Sequence, residues 1–198
     1  MLISIDGIDG CGKSTQIRHI SGLTGAKAIQ EISDSHWGRT FRSLESPTLA
    51  EQIAYFLADR AGLSPMLHEA AGSETHHIVS DRSYLSGVAY QSFNSGLAPE
   101  MIEQMNRALV PEYDAMIVLD LPVEVSLERV RKRGEKLTWC ENDALLTWAS
   151  RVFQTWAVYR DNIYLINANQ TPEEVSADIS EVLRQISQAK FGRVLWDD

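Results

Sequence analysis

Cysteine is scarce in this chain, basic charge is outnumbered, and no apolar run comes near the length of a bilayer span. The 198 residues hold two cysteines, Cys11 and Cys140, far apart and in no metal-ligand pattern. That excludes a disulfide scaffold and fits a reducing cytosol. Eighteen lysines and arginines face 27 aspartates and glutamates, for a formal net charge of -9. A surface of that sign excludes non-specific binding to nucleic acid or to an acidic membrane, though a local arginine cluster can still hold a small phosphate. The absence of any stretch of ~20 apolar residues excludes a transmembrane helix. The chain opens on a strand-like segment, which leaves no room for a signal peptide. The five histidines show no metal-binding spacing, and no internal repeat is seen.

What is there reads as an ordinary folded chain, 44% apolar and 23% charged. Short β-like runs alternate with helical stretches, the pattern of a parallel α/β sheet. Strands are predicted at Met1–Ile5, Ala26–Glu31, His77–Ser80, Ala115–Leu119 and Ile163–Ile166. Helices are predicted from Lys13 to about Leu23, Leu49–Ala61, Tyr84–Phe93, Pro99–Leu109, Val123–Lys132, Asp143–Tyr159 and Pro172–Ala189. The expectation is one domain, residues 1–198, with a five-stranded parallel sheet flanked by helices.

Between the first strand and first helix lies Gly7-Ile-Asp-Gly-Cys-Gly-Lys13-Ser14, which satisfies G-x-x-x-x-G-K-[ST] in the context that the pattern requires. Glycines let backbone N–H groups curl around a phosphate, and the helix N-terminus adds positive potential. Lys13 can bridge phosphate oxygens, and the Ser14 hydroxyl suits Mg²⁺. Gly7, Gly10, Cys11, Gly12, Lys13, Ser14 and Thr15 are therefore candidate ATP-binding residues. The cradle alone says "nucleoside triphosphate" and leaves kinase, GTPase, ATPase and regulator open.

Six further stretches carry a resemblance. Asp81-Arg82-Ser83-Tyr84-Leu85-Ser86-Gly87-Val88-Ala89-Tyr90-Gln91 is similar to D-R-[YH]-x-x-S-x-x-A-Y-Q of the thymidylate kinase family. Phe56-Leu-Ala-Asp-Arg60 matches its helix with phenylalanine and arginine four apart. Glu31, Gly38 and Arg42 fall at the offsets of R-E-P-G-G-T-x-x-G-x-x-x-R. Pro111–Asp114, Leu127–Gly134 and Ile166–Gln170 look like the same family. The chain thus resembles thymidylate kinases from residue 2 to about residue 182.

The resemblance implies a P-loop kinase fold with a short mobile lid at about 134–142, and Mg²⁺-dependent transfer of the γ-phosphoryl group of ATP to dTMP. It implies that Phe56 stacks on thymine and that Arg60 donates to O4, which favours a 4-keto over a 4-amino pyrimidine. Arg42 and Arg82 would grip the monophosphate, and Asp9 would hold the sugar 3′-OH. Tyr90 would exclude ribose, Ser86 and Gln91 would line the base pocket, and Asp81 would orient the waters of the metal. A cytoplasmic homodimer, with no nucleic-acid or membrane partner, is part of the same implication.

Three departures stand out. Ile32-Ser33-Asp34-Ser35 replaces Pro-Gly-Gly-Thr, and Gln30 replaces the arginine before Glu31. Ser83 replaces tyrosine or histidine. The catalytic arginine of the family is missing at Gly10 and in 135–141, so Arg151 or Lys136 is expected to take that role, with Arg133 nearer the adenine. These departures keep two rivals open: a kinase for dUMP or a 5-substituted dUMP, and a weakly active nucleotide-binding regulator.

Overall fold

The computed structural model describes residues 1–132 and 142–196. The segments expected to form the lid (134–142, apart from Asn142) and to supply Arg133 and Lys136 lie outside the described residues. Five parallel strands, β1 (Leu2–Asp6), β2 (Lys27–Gln30), β3 (Ile78–Asp81), β4 (Ala115–Asp120) and β5 (Ile163–Asn167), form one sheet in the order β2-β3-β1-β4-β5. The five-stranded parallel sheet is as expected, and each strand lies within a residue or two of its predicted place.

The central strands β3, β1 and β4 alternate apolar side chains to two covered faces, as period-two geometry requires. Leu2, Ile78, Met116 and Val118 face one core layer, together with Leu85, Val88, Leu146 and Phe153 from the helices. Ile3, Ile5, Val79, Ile117 and Leu119 face the other, with Ile17, Ile20, Ile179 and Leu183. Eight helices are described: α1 (Lys13–Thr24), α2 (His36–Arg42), α3 (Leu49–Ala70), α4 (Tyr84–Gln91), α5 (Pro99–Arg107), α6 (Val123–Lys132), α7 (Asp143–Tyr159) and α8 (Pro172–Phe191). Helix α1 ends at Gly25 in the left-handed conformation (φ 67°), which a residue without Cβ adopts at little cost. Helix α8 begins with a capping box, Thr171 and Glu174 each bonding the other's backbone N–H, with Pro172 at its first turn.

Two elements differ from expectation. Helix α3 does not stop at Ala61 but continues through Pro65 to Ala70. Pro65 is exposed, so the carbonyl that its missing N–H leaves unpaired faces water, while Leu67 and Ala70 beyond it are buried. Helix α2 had no predicted counterpart; its seven residues follow the N-cap Ser35, whose hydroxyl accepts from Gly38 N.

The chain leaves β1 in one direction to reach β2 and β3, and in the other to reach β4 and β5. The carboxyl end of β1 is therefore the switch point at which open α/β sheets hold ligands. Asp6, Asp81 and Asp120 end β1, β3 and β4 on that edge.

Candidate active site

The phosphate loop follows β1 directly. Gly7, Gly10 and Gly12 have φ of 134°, 82° and 102°, conformations that favour glycine. A Cβ at Gly10 would stand 2.8 Å from the Ser126 carbonyl and 3.3 Å from Val130 Cγ2. That contact explains the missing arginine: α6 packs where its side chain would start. Lys13 Nζ donates to the Gly7 and Ile8 carbonyls, both at 3.0 Å, and lies 3.8 Å from Asp9 and from Cys11 Sγ.

Asp9, Gly10, Gly12, Lys13, Ser14, Thr15, Gln30, Glu31, Asp81 and Arg82 line one cavity of about 260 Å³. Of the expected residues, Asp9, Gly10, Gly12, Lys13, Ser14 and Thr15 are thus brought together with Asp81 and Arg82, whereas Arg42, Phe56, Arg60, Ser86, Tyr90 and Gln91 are not among the residues lining this cavity. Arg82 sits at φ 71°, a left-handed conformation that costs a non-glycine residue about 1–2 kcal/mol. The turn is held by Arg82 N donating to Ile5 O at 3.0 Å and Ser80 Oγ to Arg82 O at 2.6 Å. Its side chain donates to Gly7 O at 3.3 Å, pairs with Asp9, and lies over the Tyr90 ring with 5.3 Å to the centroid. Burial disfavours the Arg82 charge, but Tyr90 and Asp9 outweigh it and the pKa is raised. Burial also pushes the Asp81 carboxyl up, against the opposing pull of Lys13 and Arg82.

Arg60, on α3, is almost fully buried and committed on three sides. Its Nε donates to Glu31 at 2.7 Å, Nη1 to Asn106, and Nη2 to the Ser83 carbonyl at 3.2 Å. Burial pushes the Glu31 carboxyl up although Arg60 stands beside it. Two guanidinium hydrogens remain for another acceptor, since arginine carries five donors. Phe56 lies one turn earlier, its ring 5.4 Å from the Arg60 guanidinium carbon and edge-on to Phe41 at 5.1 Å. A Cβ at Gly87 would approach Arg60 Nη1 to 3.2 Å and Gln91 Oε1 to 3.5 Å, so guanidinium and amide border one gap. The Gln91 Nε2 is buried and meets no hydrogen-bond partner among the described residues.

Ser86 is buried, with its hydroxyl donating to Asp6 at 2.6 Å. Asp6 also accepts from Ser83 N at 3.0 Å, Ser83 Oγ at 2.8 Å and Ser4 Oγ at 2.7 Å. Ser83, one of the departures, therefore caps α4 and ties it to β1 rather than facing the cavity. Arg42 donates to the carbonyls of Ile32 and Ser33 at 2.9 and 3.0 Å and pairs with Asp34. Arg151 is exposed on α7, one turn before Gln154, whose amide reaches Asp120 at the end of β4. Asp6, Asp59, Asn106 and Ser126 were not singled out from sequence. Only the position of Asp59 beside Arg60 in the helix motif offered a signal.

The family model for thymidylate kinase matches residues 5–179. The chain is 35% identical over 190 residues to a thymidylate kinase of Akkermansia muciniphila, covering 92% of this chain and 90% of that one. It is 33% identical over 203 residues to a probable thymidylate kinase of Archaeoglobus fulgidus, covering 96% and 98%. The fold is similar to that of a solved thymidylate kinase from Candida albicans, with a TM-score of 0.74 over 93% of this chain and 91% of that one, at 21% identity.

Proposed function

The chain belongs to the thymidylate kinase family and is an ATP-dependent nucleoside-monophosphate kinase, and from that premise we propose that its acceptor is dTMP, giving dTDP and ADP. One observation carries the reading: Glu31, the residue that pairs with Arg60, also lines the cavity in which the phosphate loop meets Arg82. The wall of the phosphate cavity is thereby tied, through one ion pair, to the arginine assigned to the base.

On this reading the loop amides and Lys13 hold the donor phosphates, while Arg82 and Arg42 hold the acceptor monophosphate in line with the γ-phosphorus. The acceptor phosphate is already anionic, so its oxygen attacks without a base and ADP leaves from the other side. Asp9, paired with Arg82, would hold the sugar hydroxyl, and Tyr90, whose ring packs on Arg82, would crowd the 2′ position. Phe56, Arg60 and Gln91 read the base; the Gln91 amide is a donor without an acceptor among the described residues. Ser86 supports that wall from behind through Asp6.

The donor set fits Mg²⁺. The described residues contain no cluster of three acidic, histidine or cysteine side chains. Exposed Ser14 and the Asp81 carboxylate line the cavity, and a cation that keeps most of its waters and takes its other ligands from phosphate needs no more. Ser14 would ligate it and Asp81 would orient its waters; when bound, it supplies positive charge to the β and γ oxygens.

A coupled ADP-release assay across dTMP, dUMP, dCMP, dGMP and dAMP tests the proposal. Turnover at ordinary kinase rates is expected with dTMP, and equal efficiency with all five monophosphates removes it. No described helix is long and apolar enough to cross a membrane. A cytoplasmic homodimer belongs to the same proposal, as does one domain spanning residues 1–198 with its lid.

Because Gly10 cannot supply a cation to the transferring phosphoryl group, Arg151 is the first choice for that role. A guanidinium binds two phosphate oxygens at once, whereas a lysine such as Lys136 acts as a point charge. Arg151→Ala together with Lys136→Ala is expected to lower kcat by about 10³-fold, as loss of such arginines does, with little change in nucleotide affinity. Turnover within a few-fold of the parent rules out both residues.

A further inference from the structure

Asp59 is a buried carboxylate that the reaction scheme leaves unused. It lies on α3 between Phe56 and Arg60, 1% exposed. Its oxygens accept from Ser33 N at 2.8 Å, Ser33 Oγ at 2.6 Å and Ser35 Oγ. A carboxylate buried this far from water must be met by several donors. Here all three come from the segment in which Ile-Ser-Asp-Ser stands in place of Pro-Gly-Gly-Thr.

The same serines set the next element. Ser33 Oγ also accepts from Ser35 N at 3.1 Å, and Ser35 Oγ accepts from Gly38 N at 3.1 Å, which starts α2. The helix lies so close on the loop that a Cβ at Gly38 would be 2.0 Å from Ser33 O. From the end of α2, Arg42 reaches back to the Ile32 and Ser33 carbonyls. Both ends of α2 are thus seated on a loop pinned to Asp59.

We propose that Asp59, through Ser33 and Ser35, is a positioning residue that sets where Arg42 presents its guanidinium to the acceptor phosphate. Side-chain hydrogen bonds to one buried carboxylate replace the stiffness that proline gives such a loop and the close approach that glycine allows. The inference rests on the reading of Arg42 as a holder of the acceptor phosphate, and the test separates the two.

Ser33→Ala/Ser35→Ala is made in the full chain, with Arg42→Ala and Ser33→Ala/Ser35→Thr beside it, and steady-state kinetics are measured with dTMP and ATP varied in turn. The alanine pair is expected to raise KM for dTMP about 10- to 100-fold, the scale of a displaced binding group, with kcat and KM for ATP within about threefold. Threonine at 35 keeps an oxygen for the cap and for Asp59 and is expected to recover part of the loss. In an Arg42→Ala background the serine changes are expected to add nothing, because they act through that residue. If Arg42→Ala raises KM for dTMP but the alanine pair leaves it within twofold, the positioning role is overturned and the Arg42 reading stands. If Arg42→Ala itself leaves it unchanged, both are overturned. A parallel rise in KM for ATP marks general damage and also overturns the proposal. Should the pair fail to fold, Ser33→Ala alone is judged by the same criteria.

Discussion

Lys13→Ala is expected to lower kcat for dTDP formation by at least about 10²–10³-fold while ATP still binds. Losing one preorganised donor from a water-poor site costs roughly that factor, and Lys13 is the cation nearest the loop. Lys13 is 9% exposed and its side chain bonds to two loop carbonyls at 3.0 Å, so a small swing brings Nζ from carbonyl to phosphate oxygen. Those same bonds give the substitution a second effect, since alanine leaves the Gly7 and Ile8 carbonyls without that donor. Melting temperature and equilibrium ATP binding therefore accompany the kinetics. A variant that folds, binds ATP and still makes dTDP within tenfold of the parent removes the phosphate loop from the transfer step.

The second large effect concerns the base. The unmodified protein is expected to prefer dTMP and dUMP over dCMP by about 10⁴-fold in kcat/KM. A site built to donate to O4 meets a 4-amino group with a donor facing a donor, and buried polar groups left unpaired give discrimination of that order. Arg60→Met alone tests this badly. It strands the Glu31 carboxylate, 2% exposed at its side chain, and breaking a buried pair on one side costs about 3–5 kcal/mol. Arg60→Met with Glu31→Gln removes the charge from both partners, and in that variant the preference is expected to fall to about tenfold. Equal efficiency with dCMP in the parent, or an undiminished preference in the double variant, overturns the role of Arg60.

Sequence showed most clearly those features that local chemistry dictates. Strands β1, β3, β4 and β5 could be read because each is a short apolar run buried on one or both faces, and the phosphate loop because its glycines, lysine and serine are contiguous. Helix α3 was cut short because Gly62 and Pro65 are local helix breakers, and its continuation depends on Leu67 and Ala70 reaching the core. Helix α2 was missed because His36–Arg42 is too short and polar to show a period; it exists through a serine cap and a close contact of Gly38 with Ser33. Ser83 could not be interpreted at all, since its partner Asp6 is 77 residues away. The commitment of Arg60 to Glu31 and Asn106 was hidden for the same reason: pairings across 29 and 46 residues leave no periodic trace.

The wedge of Gly10 against α6 has a mechanical side. Ser126 Oγ donates to the Asp9 carbonyl, and the Ser126 carbonyl and Val130 close on Gly10 from the same helix. Loop and helix are therefore clamped at two successive residues, with no side chain between them to yield. A helix of ten residues is a stiff rod of about 15 Å, from Val123 to Lys132. A shift of the loop at Gly10 therefore presses on the backbone of α6 itself and not on a side chain that could rotate aside. A bulkier residue at position 10 would thus push helix and loop apart as well as crowd the loop.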